Sequence, residues 1–424
     1  MTHRTPILAL GLLLAAAGIA QAQETPVAVR GARIIPISGP EIENGVLVVH
    51  RGKITAVGDA RTAIPRGATL IDGRGKVLMP GLVDTHSHIG GGDGGDASAA
   101  MHPDVRILDA IDPRSDTFRK ARTGGITTVN VMPGSGHLMS GQTVYLKLRD
   151  ADRIVDMLPD KTMDSIYGGL KMANGTNSLR GTGPFPGTRG RQTAMQRGIF
   201  IRAQEYMAKE NPPRDLQMET MVEVLQGKRI VHFHTHTHFD ILTVLRLVEE
   251  FKFRAVLHHV SDAAMVAEEI AAAGVQSSII AIDAPGGKVE AINLSYSAGA
   301  ALEKAGADVS YHTDDGVTDS RFFLRSAAFG VRAGMSRAKA LEAVTLAGAR
   351  MLDMAHRVGS LEVGKDADFI LLSGDPLSVY SVVEQTWIEG SKVFDRADPK
   401  QKPFFTGGYE VFRGEGFFHS CYHD

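Results

Sequence analysis

The stretch Val83-Asp84-Thr85-His86-Ser87-His88 follows an apolar run and leads into three glycines at positions 90–92. Successive side chains of a β-strand alternate between faces, so His86 and His88 point in the same direction. Two imidazoles on one face at the end of a strand can bind one divalent metal. Two surface histidines would give the same pattern, so its meaning depends on the rest of the chain.

The overall composition limits what kind of protein this chain encodes. It has 424 residues and a net charge of −2, which is enough chain for one large domain and a small second one. There is no basic excess of the kind that favours nucleic-acid binding, and no long acidic block that would indicate disorder. Cys421 is the only cysteine, so any metal must be bound by His, Lys or carboxylate side chains.

The first 22 residues have the composition of a secretory signal peptide. Arg4 supplies the positive start, residues 7–19 are almost entirely apolar or small, and Ala20-Gln21-Ala22 matches an A-x-A cleavage site. We predict cleavage after Ala22, a periplasmic or secreted protein, and no stable membrane association afterwards. An N-terminal membrane anchor is the alternative, although the apolar segment is short for a spanning helix.

The middle of the chain alternates between strand-like and helix-like segments, which favours parallel βα units. Eight apolar segments are strand candidates: residues 81–89, 126–132, 143–148, 166–172, 230–236, 254–259, 277–282 and 308–313. Helical patterns follow most of them, at 240–251, 262–273, 289–305, 321–333 and 338–354. Eight such units predict an α/β fold with a (β/α)8 TIM-type barrel over residues 81–356. An open doubly wound sheet is the alternative, but no G-x-G-x-x-G opens the first helix.

Short strands separated by turn residues flank this barrel on both sides, in residues 23–80 and 357–400. Neither group has enough strands to bury a core alone, so we predict that they fold together as one small β-sandwich. Three long loops are predicted at 90–125, 133–142 and 173–200, after strands one, two and four. Loops after strands lie on the active face of such a barrel. The aromatic tail 401–424 is predicted to pack against the body of the protein.

Histidine, lysine and aspartate side chains recur at the ends of the strand candidates. These positions are His86, His88, Lys171, the alternating series His232, His234, His236 and His238, the pair His258-His259, and His312 with Asp314 and Asp315. The carboxyl ends of barrel strands meet at one face, so these residues can share one metal site. Simpler interpretations exist, because the fifth-strand histidines could form a solvated edge, Lys171 could be exposed, and Asp314 could cap a helix.

Three motifs mark the first strand, the last strand and the exit from the barrel. They are PGLVDTHSH at residues 80–88, Thr313-Asp314, and GSLEVGKDADFILLSGDP at residues 359–376. Together they resemble the amidohydrolase superfamily, in the branch that includes imidazolonepropionase and prolidase-like enzymes. The resemblance covers roughly residues 27–395. It implies a metal-dependent hydrolase with a barrel and a small β-sandwich. It does not specify the substrate.

The resemblance implies a set of metal ligands, position by position. His86, His88 and Asp314 correspond to the ligands of the more buried metal. Many members of the superfamily bridge two metals with a carboxylated lysine on the fourth strand, and Lys171 occupies that position. Mononuclear members lack this lysine, so the resemblance leaves one or two ions open.

The fifth and sixth strands supply the remaining ligands implied by the resemblance. The fifth-strand motif resembles Phe233-His234-Thr235-His236, whose first histidine corresponds to a ligand, so His234 is the predicted ligand. His236 then corresponds to a contact of the substrate or the oxyanion. The sixth-strand motif of relatives usually reads Glu-His-Gly, and here His258-His259-Val260 aligns His259 as the ligand. Because neighbouring residues of a strand face opposite ways, we expect only one histidine of that pair to point inward.

The chemistry of these residues fits hydrolysis without reference to any family. A divalent metal lowers the pKa of bound water; His and carboxylate ligands suit zinc, with manganese, iron or nickel as alternatives. Asp314 can take the proton of that water and pass it to a leaving amine, while a histidine or a second metal polarises the carbonyl. We therefore predict an exported hydrolase that cleaves an amide or peptide-like C–N bond of a small molecule, such as a dipeptide or an N-acyl amino acid.

Three alternative functions stay open at this point. They are a cyclic-amide hydrolase or deaminase acting on a heterocycle, a non-catalytic small-molecule binding protein on the same barrel, and a structural zinc protein. The last conflicts with ligands at the open end of a barrel. Four arginines in or near the 173–200 loop could bind a substrate carboxylate or form a solvated basic loop: Arg180, Arg189, Arg191 and Arg197. The sequence leaves the oligomeric state open, a homo-oligomer included.

Overall fold

The computed structural model of the protein describes residues 23–92, 94–281 and 288–407. The predicted signal segment 1–22 lies outside these ranges, as does residue range 408–424 of the predicted aromatic tail. Among the described residues, no helix is both long enough and apolar enough to cross a membrane.

Strands occur at both ends of the described chain and alternate with helices between them. The strands are β1 (Val27–Ile34), β2 (Ile42–His50), β3 (Lys53–Gly58), β4 (Thr69–Asp72), β5 (Val77–Pro80), β6 (Leu82–Ser87), β7 (Ile126–Val131), β8 (Met139–Gln142), β9 (Val144–Lys147), β10 (Leu170–Ala173), β11 (Val231–Thr235), β12 (Ala255–His259), β13 (Gln276–Ile280), β14 (Val309–His312), β15 (Phe369–Leu372), β16 (Val383–Ile388) and β17 (Ser391–Asp395). The α-helices are α1 (Asp116–Thr123), α2 (Ile154–Met157), α3 (Arg189–Met207), α4 (Leu216–Leu225), α5 (His238–Phe251), α6 (Ala267–Ala272), α7 (Ala298–Ala305), α8 (Leu324–Arg332), α9 (Arg337–Ala343), α10 (Leu346–Met351) and α11 (Lys402–Thr406).

The β-rich domain is one hydrogen-bonded sheet made from both ends of the chain. Its strand order is β17-β16-β15-β5-β1-β2-β3, and β4 pairs with β1. The two ends of the chain join in the antiparallel pair β5–β15, in which Leu78 lies opposite Leu371. Ile34, Leu47 and Phe369 are among the buried side chains of its main core. Each half of the sheet therefore depends on the other for strand pairing and for its apolar core.

The barrel is built from strands whose carboxyl ends carry the histidines. β10 to β14 form one sheet in sequential parallel order, and β6 pairs in parallel with β7. The end of β14 meets β6, where the backbone amide of Asp314 donates to the carbonyl of His86 at 2.8 Å. The predicted fold class, a TIM-type α/β barrel joined to a small β-rich domain from both chain ends, is confirmed.

The third predicted strand does not have the predicted direction. β9 runs antiparallel to β7, with Val129 opposite Leu146, and β8 runs antiparallel to β10, with Leu170 opposite Gln142. Only the short loop 132–138 separates β7 from β8. A parallel return usually passes through a helix, and residues 132–143 between β7 and β9 contain β8 but no helix, which fits the antiparallel pairing. The predicted loop at 133–142 is correspondingly wrong, because it contains β8.

Two other predicted loops contain helices. α1 lies within the predicted loop 90–125, and α3 begins inside the predicted loop 173–200. The hydroxyl of Thr188 accepts a hydrogen bond from the amide of Arg191 and caps the start of α3. The buried face of α3 begins with Gln192 and Gln196, which donate to backbone carbonyls instead of packing as apolar residues. This polar buried face is why hydrophobic periodicity missed the helix.

The predicted helix over residues 338–354 is divided into α9 and α10. The break falls at Val344 and Thr345, and Thr345 has φ −137° and ψ −94°. The carbonyl of Val344 accepts a hydrogen bond from the amide of Val83 in β6 at 3.0 Å. The break therefore connects this helical layer to the strand that carries the His86 motif.

A buried cluster of charges joins the barrel to the β-rich domain. The ammonium group of Lys147, at the end of β9, lies 2.6 Å from Asp366, 2.9 Å from Asp368 and 3.2 Å from Glu389. The Lys147 side chain has no exposed surface. Arg149 also pairs with Glu389 at 2.5 Å, so the cluster is a network and not a single ion pair. A network that satisfies several buried charges together can hold the two domains in one arrangement.

The shifted pKa values of this cluster predict how stability changes with pH. Burial alone would raise the pKa of Glu389, but Lys147 and Arg149 outweigh it and lower this pKa from 4.5 to about 2. A carboxyl group with a lowered pKa stabilises the folded state above its unfolded value, and the contribution is lost as pH falls through the folded value. We therefore expect the urea midpoint of the wild type to fall more steeply than that of Glu389→Gln between pH 4.5 and about 2.

Urea denaturation of both proteins across a pH series measures this difference. Asp368 shifts the opposite way, because burial raises its pKa and the charge of Glu389 adds to that rise, so the comparison measures Glu389 together with its effect on Asp368. Parallel pH profiles for the wild type and Glu389→Gln would show that Glu389 contributes no pH-dependent stability.

Candidate metal centre

Two histidines from the first barrel strand meet an aspartate that follows the eighth. Oδ1 of Asp314 lies 2.9 Å from Nε2 of His88 and 3.3 Å from Nε2 of His86. The other ring nitrogen of His88 donates to the carbonyl of Met132 at 2.8 Å, so a neutral His88 presents the lone pair of Nε2 to Asp314. Two acceptor atoms at this distance need a shared proton or metal ion between them. The contact is therefore the arrangement expected of two ligands of one ion.

Lys171 lies beside this group, at the second residue of β10. Its ammonium nitrogen is 3.0 Å from Nε2 of His86 and 2.9 Å from the sulfur of Met132. The whole residue is buried, so the interpretation of Lys171 as an exposed lysine is wrong. A buried ammonium beside these imidazoles is a position where covalent modification of the amine would remove a buried positive charge.

The remaining predicted site residues lie next to this group. The ring of His234 is 4.6 Å from that of His236 and 4.4 Å from that of His259, between centroids. The ring of His259 is in turn 5.0 Å from that of His86. His234, His236 and His259 are all buried, so the interpretation of the fifth strand as a solvated edge is wrong. The structure thus brings all the predicted site residues into one continuous cluster.

His258 and His259 both face the interior of the barrel, which corrects the expectation that one of them points outward. His259 has φ +71° and Val260 has φ +40°, so the left-handed backbone ends the alternation of faces at this point. Asp314 also has a positive φ, of +49°. Such conformations cost on the order of 1–3 kcal/mol each and concentrate at functional sites. Two of the predicted metal ligands, His259 and Asp314, are therefore among the described non-glycine residues with this strained backbone.

Three further histidines of the cluster were not assigned a role from the sequence: His232, His258 and His312. Ligand atoms of His86, His258 and His312 all lie within 4.8 Å of one another. His258 continues into a chain of contacts, in which its Nε2 lies 2.9 Å from Nδ1 of His232, and Nε2 of His232 lies 2.9 Å from the hydroxyl of Tyr145. The spacing of His312 and Asp314, two residues apart at one strand end, was the signal in the sequence that could have found His312.

Asp84, in the first-strand motif PGLVDTHSH, connects the first barrel strand to the end of the eighth. Its Oδ1 accepts hydrogen bonds from the amides of His86 and Thr313, and its Oδ2 accepts one from the hydroxyl of Thr313 at 2.5 Å. Burial raises the pKa of Asp84 from 3.8 to about 7, although the hydrogen bonds from Thr313 oppose the shift. Its contacts fix the relative position of His86 and Asp314.

Burial keeps the histidines of the cluster neutral. Burial is the largest cause of the lowered pKa of the fully buried histidines, and it brings the pKa values of His236 and His312 to about 3. The pKa values of His86, His234 and His259 are held well below 6.5. A histidine must be neutral to donate its lone pair to a metal. The cluster therefore meets the electronic requirement for metal binding.

Asp314 is held in its charged form. Burial alone would raise its pKa, but the hydrogen bond with His88, supported by the charge of Lys171, outweighs burial and holds the pKa of Asp314 well below its usual range. A carboxylate that stays ionised can both coordinate a cation and accept a proton.

Three of the four arginines proposed as carboxylate binders contact groups of the protein itself. Arg189 pairs with Asp240 at 3.0 Å, and Arg197 pairs with Glu250 at 2.7 Å. Arg180 donates to backbone carbonyls, including that of Asn177 at 2.7 Å. Arg189 and Arg197 line a cavity of about 500 Å³ between α3 and α5, and none of the predicted metal ligands lines it. These contacts argue against a role of Arg180, Arg189 and Arg197 in binding a substrate carboxylate.

The chain is similar in sequence and in fold to a solved amidohydrolase from Thermotoga maritima MSB8. The two are 30% identical, and the match covers 87% of this chain and 100% of that chain with a TM-score of 0.80. The chain belongs to the amidohydrolase family. The model of the Amidohydrolase family also matches residues 202–399, which include the sixth-strand and eighth-strand positions of the site.

The chain is also similar in sequence to curated proteins of this kind. The amidohydrolase tasK of Hapsidospora irregularis is 29% identical over 405 residues, which is 85% of this chain but only 41% of that protein. The imidazolonepropionase of Phocaeicola vulgatus is 24% identical over 373 residues, covering 78% of this chain and 85% of the relative. The resemblance inferred from the sequence motifs is confirmed, and the family comprises metal-dependent hydrolases that act on C–N bonds.

Proposed function

We propose that the protein hydrolyses an amide-type C–N bond of a small molecule at the histidine-rich end of the barrel. The observation that carries this proposal is the convergence of His86, His88, Lys171 and Asp314 from three separate strand ends. Membership of the amidohydrolase family supports it, because that chemistry is common to the family.

The donor atoms fit a divalent metal. Both ring nitrogens of His234 and Nε2 of His259 are buried and have no hydrogen-bond partner among the described residues. Buried polar atoms left without partners cost free energy, and a bound ion would remove that cost. The proposed ligands are His86, His88, Lys171, His234, His259 and Asp314. With imidazole and carboxylate donors, zinc is the favoured ion; it would acidify a water molecule and polarise the substrate carbonyl.

Asp314 is the proposed proton carrier. Its ionised carboxylate, in contact with His88, can accept the proton of the attacking water and later deliver it to the leaving amine. His236 is the proposed contact of the carbonyl oxygen, since its Nδ1 lies 2.7 Å from the hydroxyl of Ser261 and its Nε2 has no partner among the described residues. A donor held in this way can stabilise the negative charge that develops on oxygen.

We expect Lys171 to carry a carbamate in the metal-loaded protein. Its ammonium would release two protons in all as the nitrogen bonds to the carbon of carbon dioxide, which turns a buried cation into an anionic oxygen donor. Protein loaded in ¹³C-bicarbonate should give one carbamate carbon signal per chain in NMR, and Lys171→Met should lack it. The same signal in both proteins, or none in the metal-loaded wild type, would rule the carbamate out.

We expect the double variant His86→Ala/His88→Ala to lose one bound divalent ion per chain. Both rings contact Asp314, so removing them leaves that carboxylate without its two partner ligands. Elemental analysis after dialysis against metal-free buffer measures the loss, with circular dichroism to verify folding. A folded double variant with the metal content of the wild type would contradict the ligand assignment.

A substrate panel tests the proposed reaction. Metal-loaded protein should release amine from members of a set of dipeptides and N-acyl amino acids. Lactams and amino-substituted heterocycles test the second candidate, a cyclic-amide hydrolase or deaminase, which the imidazolonepropionase relatives favour. Ligand binding without turnover of any bound compound would favour a non-catalytic binding protein instead.

A further inference from the structure

Glu290 is a buried carboxylate that the motifs of the site do not include. It lies in a single 3-10 turn, Val289–Ala291, in the connection after β13, and its side chain is 3% exposed. Oε2 accepts a hydrogen bond from the amide of Thr176 at 2.9 Å and lies 3.5 Å from the guanidinium of Arg189. Oε1 is buried as well and has no hydrogen-bond partner among the described residues.

The Glu290 carboxylate is held in place by the backbone around it. Gly175 has φ +76°, and a Cβ at that position would come within 2.7 Å of Oε2 of Glu290. Glycine therefore allows the chain to pass close enough for the Thr176 amide to reach the carboxylate. Because Oε2 is fixed in this way, Oε1 is left to face another partner.

That partner group is the fifth-strand histidine pair. Ligand atoms of His234, His236 and Glu290 all lie within 4.8 Å of one another. Both ring nitrogens of His234 and Nε2 of His236 lack hydrogen-bond partners among the described residues, as does Oε1 of Glu290. Three buried residues, each with at least one donor atom that has no hydrogen-bond partner among the described residues, therefore lie around one point.

We propose that Glu290 is a metal ligand, and that it binds a divalent ion together with His234 and His236. Two imidazoles and one carboxylate form a donor set typical of zinc, with room for a water molecule or substrate oxygen. In this arrangement the bound ion, and not the His236 ring, would polarise the substrate carbonyl. This inference rests on the proposed function only for that role, because binding at Glu290 does not depend on the substrate.

Cobalt(II) titration of the metal-free protein tests the assignment. The background is His86→Ala/His88→Ala, which removes the ion expected between His86, His88 and Asp314 and leaves His234, His236 and Glu290 unchanged. Glu290→Gln is then added, since its amide oxygen can still accept the hydrogen bond from Thr176. The matched control is Asp240→Asn, which also removes a carboxylate that pairs with Arg189 but lies outside the histidine group.

We expect the background protein to bind one cobalt ion, detected by its visible absorption bands and by anomalous density between His234, His236 and Glu290. Glu290→Gln should weaken cobalt affinity by about 10-fold or more. Loss of a residue that only supports a metal ligand already weakens metal affinity by about 10-fold, and loss of a ligand should have at least this effect. Asp240→Asn should leave it unchanged, and thermal unfolding verifies that each variant is folded.

Equal cobalt affinity with and without Glu290, no cobalt bound by the background, or anomalous density away from Glu290 would each overturn the proposal. A Glu290→Gln protein that binds cobalt normally but has a raised KM only for substrates with a free amine would assign Glu290 to substrate binding instead. If the assignment of His86 and His88 as ligands is wrong, His86→Ala/His88→Ala will keep the metal content of the wild type. That result is distinct from a failure of the Glu290 assignment.

Discussion

Asp314→Asn is expected to lower kcat/KM by about 10²–10⁴-fold, the usual contribution of general acid–base assistance. The amide cannot accept the proton of the attacking water, and it is a poorer ligand than the carboxylate that contacts His86 and His88. The fold should be retained, because the backbone amide of Asp314 still donates to the carbonyl of His86. Steady-state kinetics on the true substrate, together with circular dichroism, measure both quantities.

The neighbouring aspartate provides a control with the opposite outcome. Asp315 points away from the histidines and pairs with Lys120 at 2.8 Å, and both side chains are 3% exposed. Asp315→Asn should therefore lower stability, by about 3 kcal/mol as for other broken buried ion pairs, while the folded fraction keeps most of its kcat. Near-wild-type activity of Asp314→Asn, or an equal loss of kcat in the folded fraction of both variants, would contradict the proton-carrier role.

Lys147→Ala is expected to destabilise the protein by about 3–5 kcal/mol, the usual loss when one partner of a buried ion pair is removed. The variant leaves Asp366, Asp368 and Glu389 close together without their central cation. Because these carboxylates belong to the β-rich domain and Lys147 to the barrel, the loss should affect the contact between them. Urea denaturation at neutral pH measures the change in the free energy of unfolding.

Lys53→Ala is the matched control for Lys147→Ala. Lys53 binds the same Asp366 at 2.6 Å, but its side chain is 49% exposed. Exposed ion pairs contribute about 0–1 kcal/mol, so this variant should be nearly neutral. Similar losses for the two lysines would mean that burial of Lys147 in the charge network has no special importance.

The parts of the fold that follow local patterns could be predicted from the sequence. Alternation in β6 places His86 and His88 on one face, and strand ends of a barrel converge, so their contact with Asp314 follows from the spacing. The direction of β9 could not be predicted in this way, because it depends on how residues 132–143 connect β7 to β9 and not on the composition of the strand. Helix α3 was missed because Gln192 and Gln196 fill its buried face.

The parts of the site that depend on tertiary contacts could not be predicted from the sequence. The inward position of both His258 and His259 depends on a left-handed backbone that no motif indicates. Glu290 lies between Val289, which is 88% exposed, and other residues of an irregular segment, so its surroundings suggest a solvated turn. Its burial results from the close approach of Gly175, more than a hundred positions earlier in the chain.

The rate of C–N bond hydrolysis during stepwise zinc addition to metal-free protein tests the central claim most directly. The metal-free protein should have no activity, and the rate should rise with bound zinc until the proposed ligand set is saturated. Asp314→Asn should stay inactive at every zinc concentration. Full turnover by protein that elemental analysis finds free of metal would contradict a metal-dependent hydrolase at this site.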